Sequence, residues 1–166
     1  MATIQVIKFW PPHGHWPGVL YISDLQLAAL DLYPTVIYRP RTLVLGVGCR
    51  KGVACAEIES LYQQVCKEQR FAALSLGMVA TASLKAQEPG LLEFASGHGV
   101  PLKSFSVEEL SRVDGVPTPS ARVKELIGVA GVAEPAALLA AGASMLVMPK
   151  CKGQRVTMAL ARRENV

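Results

Sequence analysis

The sequence predicts an α/β fold: a three-layer sandwich in which a mixed β-sheet is flanked by helices on both faces. Two observations carry that expectation. Across residues 42–166, apolar runs of strand length alternate with stretches whose apolar residues recur at helical spacing. Clusters of glycine and proline punctuate the alternation where turns are needed. A chain of 166 residues suits one domain with an extension and is long enough to bury a substantial core. With 51% hydrophobic and 18% charged residues, it reads as globular and not as disordered.

The first element of the domain is the β-branched run Thr42 to Val47, a buried strand. Gly46, Gly48 and Gly52 open a permissive turn that holds Cys49, Arg50 and Lys51. A helix follows from Ala54, since Ile58, Leu61, Tyr62 and Val65 share one face. Met78 to Leu84 is a second strand. Glu88 and Pro89 start the next helix, because proline suits the first helical position and an acid suits the positive helix end. Gly97-His98-Gly99 ends it. Pro101 to Phe105 is a third strand, after which Ser106 and Glu109 form a capping box for a short helix. Val113 to Pro119 is a proline-bearing loop, Ser120 to Ile127 a helix and Gly128 to Gly131 a turn. Val132 to Ala141 is an alanine-rich helix with Glu134 and Pro135 in its first turn and Gly142 after its end. Met145 to Met148 is a strand, Pro149 to Gln154 a turn, and Val156 to Ala161 the antiparallel return.

Residues 1–41 differ in texture. Five prolines, both tryptophans, and His13 and His15 fall there, and the segment reads as an extended arm or linker that packs on the domain or on a neighbour. Gly18 to Ser23 is a candidate short strand and Asp24 to Asp31 a candidate short helix. Two histidines without a third ligand make a poor metal site, so no protein-held metal is expected.

The formal net charge is +4 and the pI about 9.0, with no arginine-rich run or aromatic stacking signature, so no nucleic-acid partner is expected. No apolar run approaches the roughly 18 residues that span a membrane. The start of the chain lacks the apolar core of a signal peptide. Four cysteines without a C-x-x-C pair suit a reducing compartment, and the expectation is a cytoplasmic protein with free thiols.

Ligands of open α/β sheets bind beyond the carboxyl ends of the strands. The cations follow that rule: Arg50 and Lys51 come after the first strand, Lys85 after the second, and Lys150 and Lys152 after the fourth. Helices open at Glu88 and Glu134 near the same kind of edge, where their N-termini favour anions. If these edges converge they form a cationic cleft with carboxylates inside, suited to a ligand bearing several carboxylates or phosphates. The competing reading is a set of ordinary loop cations. The glycine pattern G-x-G-x-x-x-G has no acidic residue about 20 positions on at the end of a strand, which argues against a dinucleotide site. Neither a P-loop nor a G-x-S-x-G elbow is present. Cys49 has cations and a helix start beside it, which lower a thiol pKa, yet no partner base, so a packed or exposed turn thiol is the favoured reading. His98 reads as a turn residue in preference to a catalytic base.

The stretches GVGCRKG (46–52), TASLKAQEPGLLEFA (81–95), PLKSFSVEEL (101–110), GVAGVAEPAALLAAG (128–142) and MPKCKGQRVTMALARR (148–163) together resemble the C-terminal domain of the cobalamin-biosynthesis protein CbiG, to which the stand-alone protein CobE is similar. The likeness runs in order from Thr42 to Arg163, and YRPRTL (38–43) resembles the lead-in from the middle region of CbiG. No stretch resembles the N-terminal CbiG domain. The resemblance implies a role in corrin-ring construction: CbiG is assigned as cobalt-precorrin-5A hydrolase, which opens a ring lactone and releases acetaldehyde. The implied ligand is an anionic tetrapyrrole that carries its own cobalt, with no cofactor held by protein ligands. Implied partners are the CbiG N-terminal domain or other corrin-pathway enzymes. Within that frame Glu88 is the candidate general base, and Lys85, Arg50 or Lys51 the stabiliser of the oxyanion. Gly46, Gly48, Cys49, Gly52, Glu134, Lys150 and Lys152 complete the candidate substrate site. The alternative is a non-catalytic module that binds or hands over corrinoid intermediates. Ser83 and Gln87 stand where the family pattern leads one to expect acids, which weakens a catalytic role if either acid is needed.

Overall fold

The structure, a computed structural model, describes residues 4–9, 18–27, 34–113 and 131–163. Its main sheet has five strands: β4 (Leu43–Cys49), β5 (Leu76–Ala82), β6 (Leu102–Phe105), β7 (Leu146–Lys152) and β8 (Val156–Arg162). They lie in the order β6-β5-β4-β8-β7. β4, β5 and β6 are parallel, β8 is antiparallel to β4, and β7 is antiparallel to β8. The sheet is therefore mixed, and the carboxyl ends of β4, β5, β6 and β7 share one edge.

Alternation along β4 sends its side chains to two different layers. Leu43, Leu45 and Val47 join Ile58, Leu61, Tyr62 and Val65 of α1 (Cys55–Gln69) and Leu91 and Phe94 of α2 (Pro89–Gly97) in the larger core. Val44 faces the other way, toward Ala136 of α4 (Ala133–Ala141) and Leu110 of α3 (Val107–Ser111). The expected three layers are present. Close approach on the second face depends on small residues. A Cβ built on Gly46 would lie 1.8 Å from the Ala133 carbonyl oxygen and 2.8 Å from the Ala137 nitrogen, so α4 rests its backbone directly on β4. On the first face, a Cβ on Gly90 would lie 2.2 Å from the Val53 carbonyl oxygen, which brings the starts of α1 and α2 together.

Three sequence expectations need correction. β5 ends at Ala82, and Ser83–Lys85 is a 3-10 turn where the sequence predicts that the strand continues. β7 runs through Pro149 to Lys152, so Lys150 and Lys152 lie in a strand and the turn shrinks to Gly153–Arg155. Proline is tolerated because β7 is the last strand of the sheet and bulges between Met148 and Cys151. The third concerns the arm, residues 1–41, whose described part holds the expected strand from Gly18 and two more strands that the sequence does not predict. β1 (Gln5–Phe9), β2 (Gly18–Ile22) and β3 (Thr35–Tyr38) make a small sheet in that order, with β2 antiparallel to β1 and parallel to β3. Of the candidate helix from Asp24, residues 24–27 are not helical. Trp10, His13, His15 and Trp16 lie outside the described residues, as do residues 114–130 with the expected loop, helix and turn.

The small sheet is tied to the domain just beyond β2. Asp24 is buried and takes two hydrogen bonds from the Arg162 guanidinium, through Nε and Nη2, and one from the Thr42 hydroxyl at 2.8 Å. Leu25 makes a β-bridge to Phe71. Arg39 donates to the Ser23 and Leu25 carbonyls.

Candidate functional site

The turn after β4 is held from several sides. The β4–β5 ladder ends at Gly46 and Ala80, and the buried Thr81 hydroxyl then donates to the Val47 carbonyl at 2.7 Å. Thr157 of β8 donates its hydroxyl to the Gly48 carbonyl at 3.1 Å, and its oxygen lies 2.7 Å from where a Cβ of residue 48 would stand. The Arg50 N–H donates to the Arg155 carbonyl at 2.9 Å, and Arg155 Nη2 donates to the Lys51 carbonyl at 2.8 Å. The Gly52 N–H donates to Glu88 Oε2 at 2.8 Å. Gly52 has φ +68°, a left-handed conformation that glycine adopts without strain.

Glu88 sits where the sequence places it, at the N-cap of α2 with Pro89 at the first helical position. Of its two partners, Lys85 lies three residues before it in the sequence, whereas Gly52 is not a local neighbour. One carboxylate oxygen receives the Gly52 N–H and the other the Lys85 ammonium at 3.2 Å. The Gly52 N–H, followed by Lys85 and Lys51, holds the Glu88 carboxyl below the usual carboxylate range against the opposing effect of burial. A carboxylate so stabilised is a weaker base than a free one.

Glu134, in the first turn of α4, is buried, and its Oε1 accepts the Lys150 N–H at 2.9 Å. The bulge in β7 explains the bond. Ladder partners skip from Met148 to Cys151, so the intervening Lys150 N–H is directed at the carboxylate. Lys152 pairs with Thr157, which pairs with Gly48, so Lys152 and the β4 turn share one row across β8.

The candidate residues thus fall into three groups. Gly48, Cys49, Arg50, Lys51, Gly52, Lys85 and Glu88 meet at the end of β4. Lys150, Lys152 and Glu134 belong to the same sheet edge on the far side of β8. Gly46 packs under α4. Arg50, Lys51 and Lys152 are exposed and form no ion pair among the described residues. The backbone N–H groups of Arg50 and Gly52 are already bonded within the protein, and the side chains of Arg50 and Lys51 are exposed. Cys49 is half-buried, and burial pushes its thiol pKa up even with Lys85 and Arg155 pulling it down. The expected lowering by neighbouring cations is overridden. His98 lies at the C-terminal end of α2, bonded to Glu59 Oε2 at 2.7 Å and edge-on to Tyr62, which builds it into the α1–α2 contact away from the β4 turn. Arg155 is the residue of the site that the sequence does not announce. It lies in a hairpin turn beside polar residues, and no local pattern marks it.

Residues 43–161 match the family described as Cobalamin synthesis G C-terminus. A cobalt-precorrin-5A hydrolase of Priestia megaterium is 39% identical over 126 residues, covering 76% of this chain and 33% of that protein. The solved structure of CobE, a protein from the cobalamin (vitamin B12) biosynthetic pathway, is similar with a TM-score of 0.68 and 29% identity, over 73% of this chain and 89% of that one. The cobalamin biosynthesis protein chiG from Agrobacterium tumefaciens is similar with a TM-score of 0.58 and 34% identity, over 74% of this chain and 99% of that one. The chain spans about a third of the length of the curated relatives it matches. Among the described residues no helix is long and apolar enough to cross a membrane. With the family match running from the first strand of the main sheet nearly to the end of the last, the chain is a cobalamin-biosynthesis domain and belongs to the Cobalamin synthesis G C-terminus family.

Proposed function

We propose that this chain is the part of a cobalt-precorrin-5A hydrolase that takes hold of the acidic macrocycle, with Arg50 and Lys51 as the principal contacts and Lys152 as a further one. The observation that carries the reading is a pair of exposed cations, with no ion pair among the described residues, on a turn whose backbone is bonded from four sides. A backbone already fixed in place lowers the ordering cost of binding to that of the two side chains it carries. The ring's acetate and propionate groups supply the matching charge, and its cobalt belongs to the substrate. Lactone opening needs an activated water and an oxyanion stabiliser, roles open to Glu88 and to Lys85.

A second reading is favoured by one specific observation. Glu88 is committed to the Gly52 N–H and to Lys85, and its carboxyl is held low. That supports a module which binds or hands over the corrinoid while another domain or protein performs the hydrolysis. The CbiG N-terminal domain is the proposed companion. One experiment separates the two readings: the purified chain is incubated with cobalt-precorrin-5A and assayed for both binding and acetaldehyde. Binding with acetaldehyde release supports the hydrolase reading, and binding without it supports the handover module. Binding that ignores Arg50→Ala, Lys51→Ala and added salt removes the turn as the site.

A further inference from the structure

We infer that Arg155 is the positioning residue that fixes how the β4 turn presents Arg50 and Lys51 to an anionic ligand. The inference rests on the anion-binding reading above and extends it to a residue on the β7–β8 hairpin. Arg155 faces two elements at once. Its Nη2 donates to the Lys51 carbonyl at 2.8 Å, and its Nη1 donates to Glu57 Oε1 at 3.2 Å. Its own carbonyl accepts the Arg50 N–H at 2.9 Å. The same residue therefore holds the backbone of both cations that the turn exposes, and ties that backbone to the first turn of α1. Glu57 is itself fixed there, since its Oε1 also accepts the Ala54 N–H at 3.3 Å.

The fork of the guanidinium is what makes the arrangement work. Two nitrogens of one planar group reach two acceptors, which a lysine ammonium at the end of a flexible stem does not reproduce. The turn needs such a brace because Gly52 follows directly, at φ +68°, and glycine leaves the backbone many other conformations. Without the brace, the backbone that carries Arg50 and Lys51 has to be ordered on each binding event. The ion pair with Glu57 is partly exposed, so its contribution to global stability is small and its consequence is mainly local.

The test uses the full chain and uroporphyrin III, an octacarboxylic tetrapyrrole, titrated at low salt with fluorescence as the readout and thermal melting as the fold control. Arg50→Ala with Lys51→Ala should weaken binding about tenfold or more, and Arg155→Ala alone about three- to tenfold at nearly unchanged Tm. Arg155→Lys should recover only part of the loss. Adding Arg155→Ala to the Arg50→Ala, Lys51→Ala protein should change nothing further, because the brace acts through those two side chains. Wild-type affinity in Arg155→Ala, with the Arg50→Ala, Lys51→Ala protein weakened, overturns the inference and leaves the site standing. A further loss in the triple variant also overturns it, since Arg155 would then be touching the anion itself. Wild-type affinity in the Arg50→Ala, Lys51→Ala protein overturns both the inference and the site. Should Arg155→Ala fail to fold, Glu57→Gln carries the test: it keeps an acceptor for the helix cap, removes the charge that holds the guanidinium, and must weaken binding if the inference stands.

Discussion

Glu88 has a structural task in this fold, since its carboxylate accepts the Gly52 N–H and the Lys85 ammonium. Its folded-state pKa lies below the ordinary carboxylate value, chiefly because of the Gly52 N–H and then Lys85. A depressed carboxylate pKa stabilises the fold above the unfolded-state value, and that contribution is lost as pH falls through the folded-state value. Thermal melts of the wild type and of Glu88→Gln should therefore differ by a few degrees at pH 7, corresponding to about 1 kcal/mol. The two curves should converge on acidification below the ordinary carboxylate range. A gap that persists into strong acid would mean that charge is not the origin of the effect. Cys49 gives a second expectation at this scale. With its thiol pKa raised by burial, it should resist iodoacetamide at pH 7, as measured by mass spectrometry of the alkylated protein. Rapid alkylation would restore the nucleophile reading.

The elements that are legible in the sequence are those with a local cause. The β4 run, the helical spacing of Ile58, Leu61, Tyr62 and Val65, Pro89 at a helix start and the Ser106–Glu109 capping box all declare themselves within a few residues. The continuation of β7 past Pro149 does not, because a proline reads as a breaker until the strand is known to lie at a sheet edge. Of the small sheet, β2 is legible as the run from Gly18, whereas β1, β3 and their pairing with it are hidden by the prolines around them. At the site, the strand-end placement of the cations is legible, whereas Glu88 with Gly52 and Arg155 with Lys51 lie 36 and 104 positions apart and leave no local trace. Packing between elements yields a further expectation. Gly46→Ala puts a methyl group against the α4 backbone, where no side-chain rotation relieves the clash. A loss of about 1–3 kcal/mol or more in urea denaturation is expected, and near-wild-type stability would mean that α4 shifts easily.

Across the whole molecule, Asp24 links the first segment to the last strand. Its carboxylate is buried against the Arg162 guanidinium and the Thr42 hydroxyl. Asp24→Ala leaves that cation without its partner and should lower stability by about 3–5 kcal/mol, as read from denaturant midpoints. A loss below about 1 kcal/mol, the range of exposed pairs, would show that water reaches the pair freely.

The place of β8 within the sheet also has a consequence in time. The chain is synthesised from its N-terminus, yet the strand that lies against β4 is the last of the sheet to be made. At roughly 5–20 residues per second, the β4 edge waits on the order of 6–20 seconds for its partner. Throughout that interval Leu43, Val44 and Leu45 present an unpaired apolar edge that any other nascent strand can join. A chain halted at Gly153 should therefore aggregate or remain with a chaperone, while one that reaches Arg163 should release and become soluble. Solubility of the halted chain on its own would mean that β4, β5 and β6 close their edge without waiting.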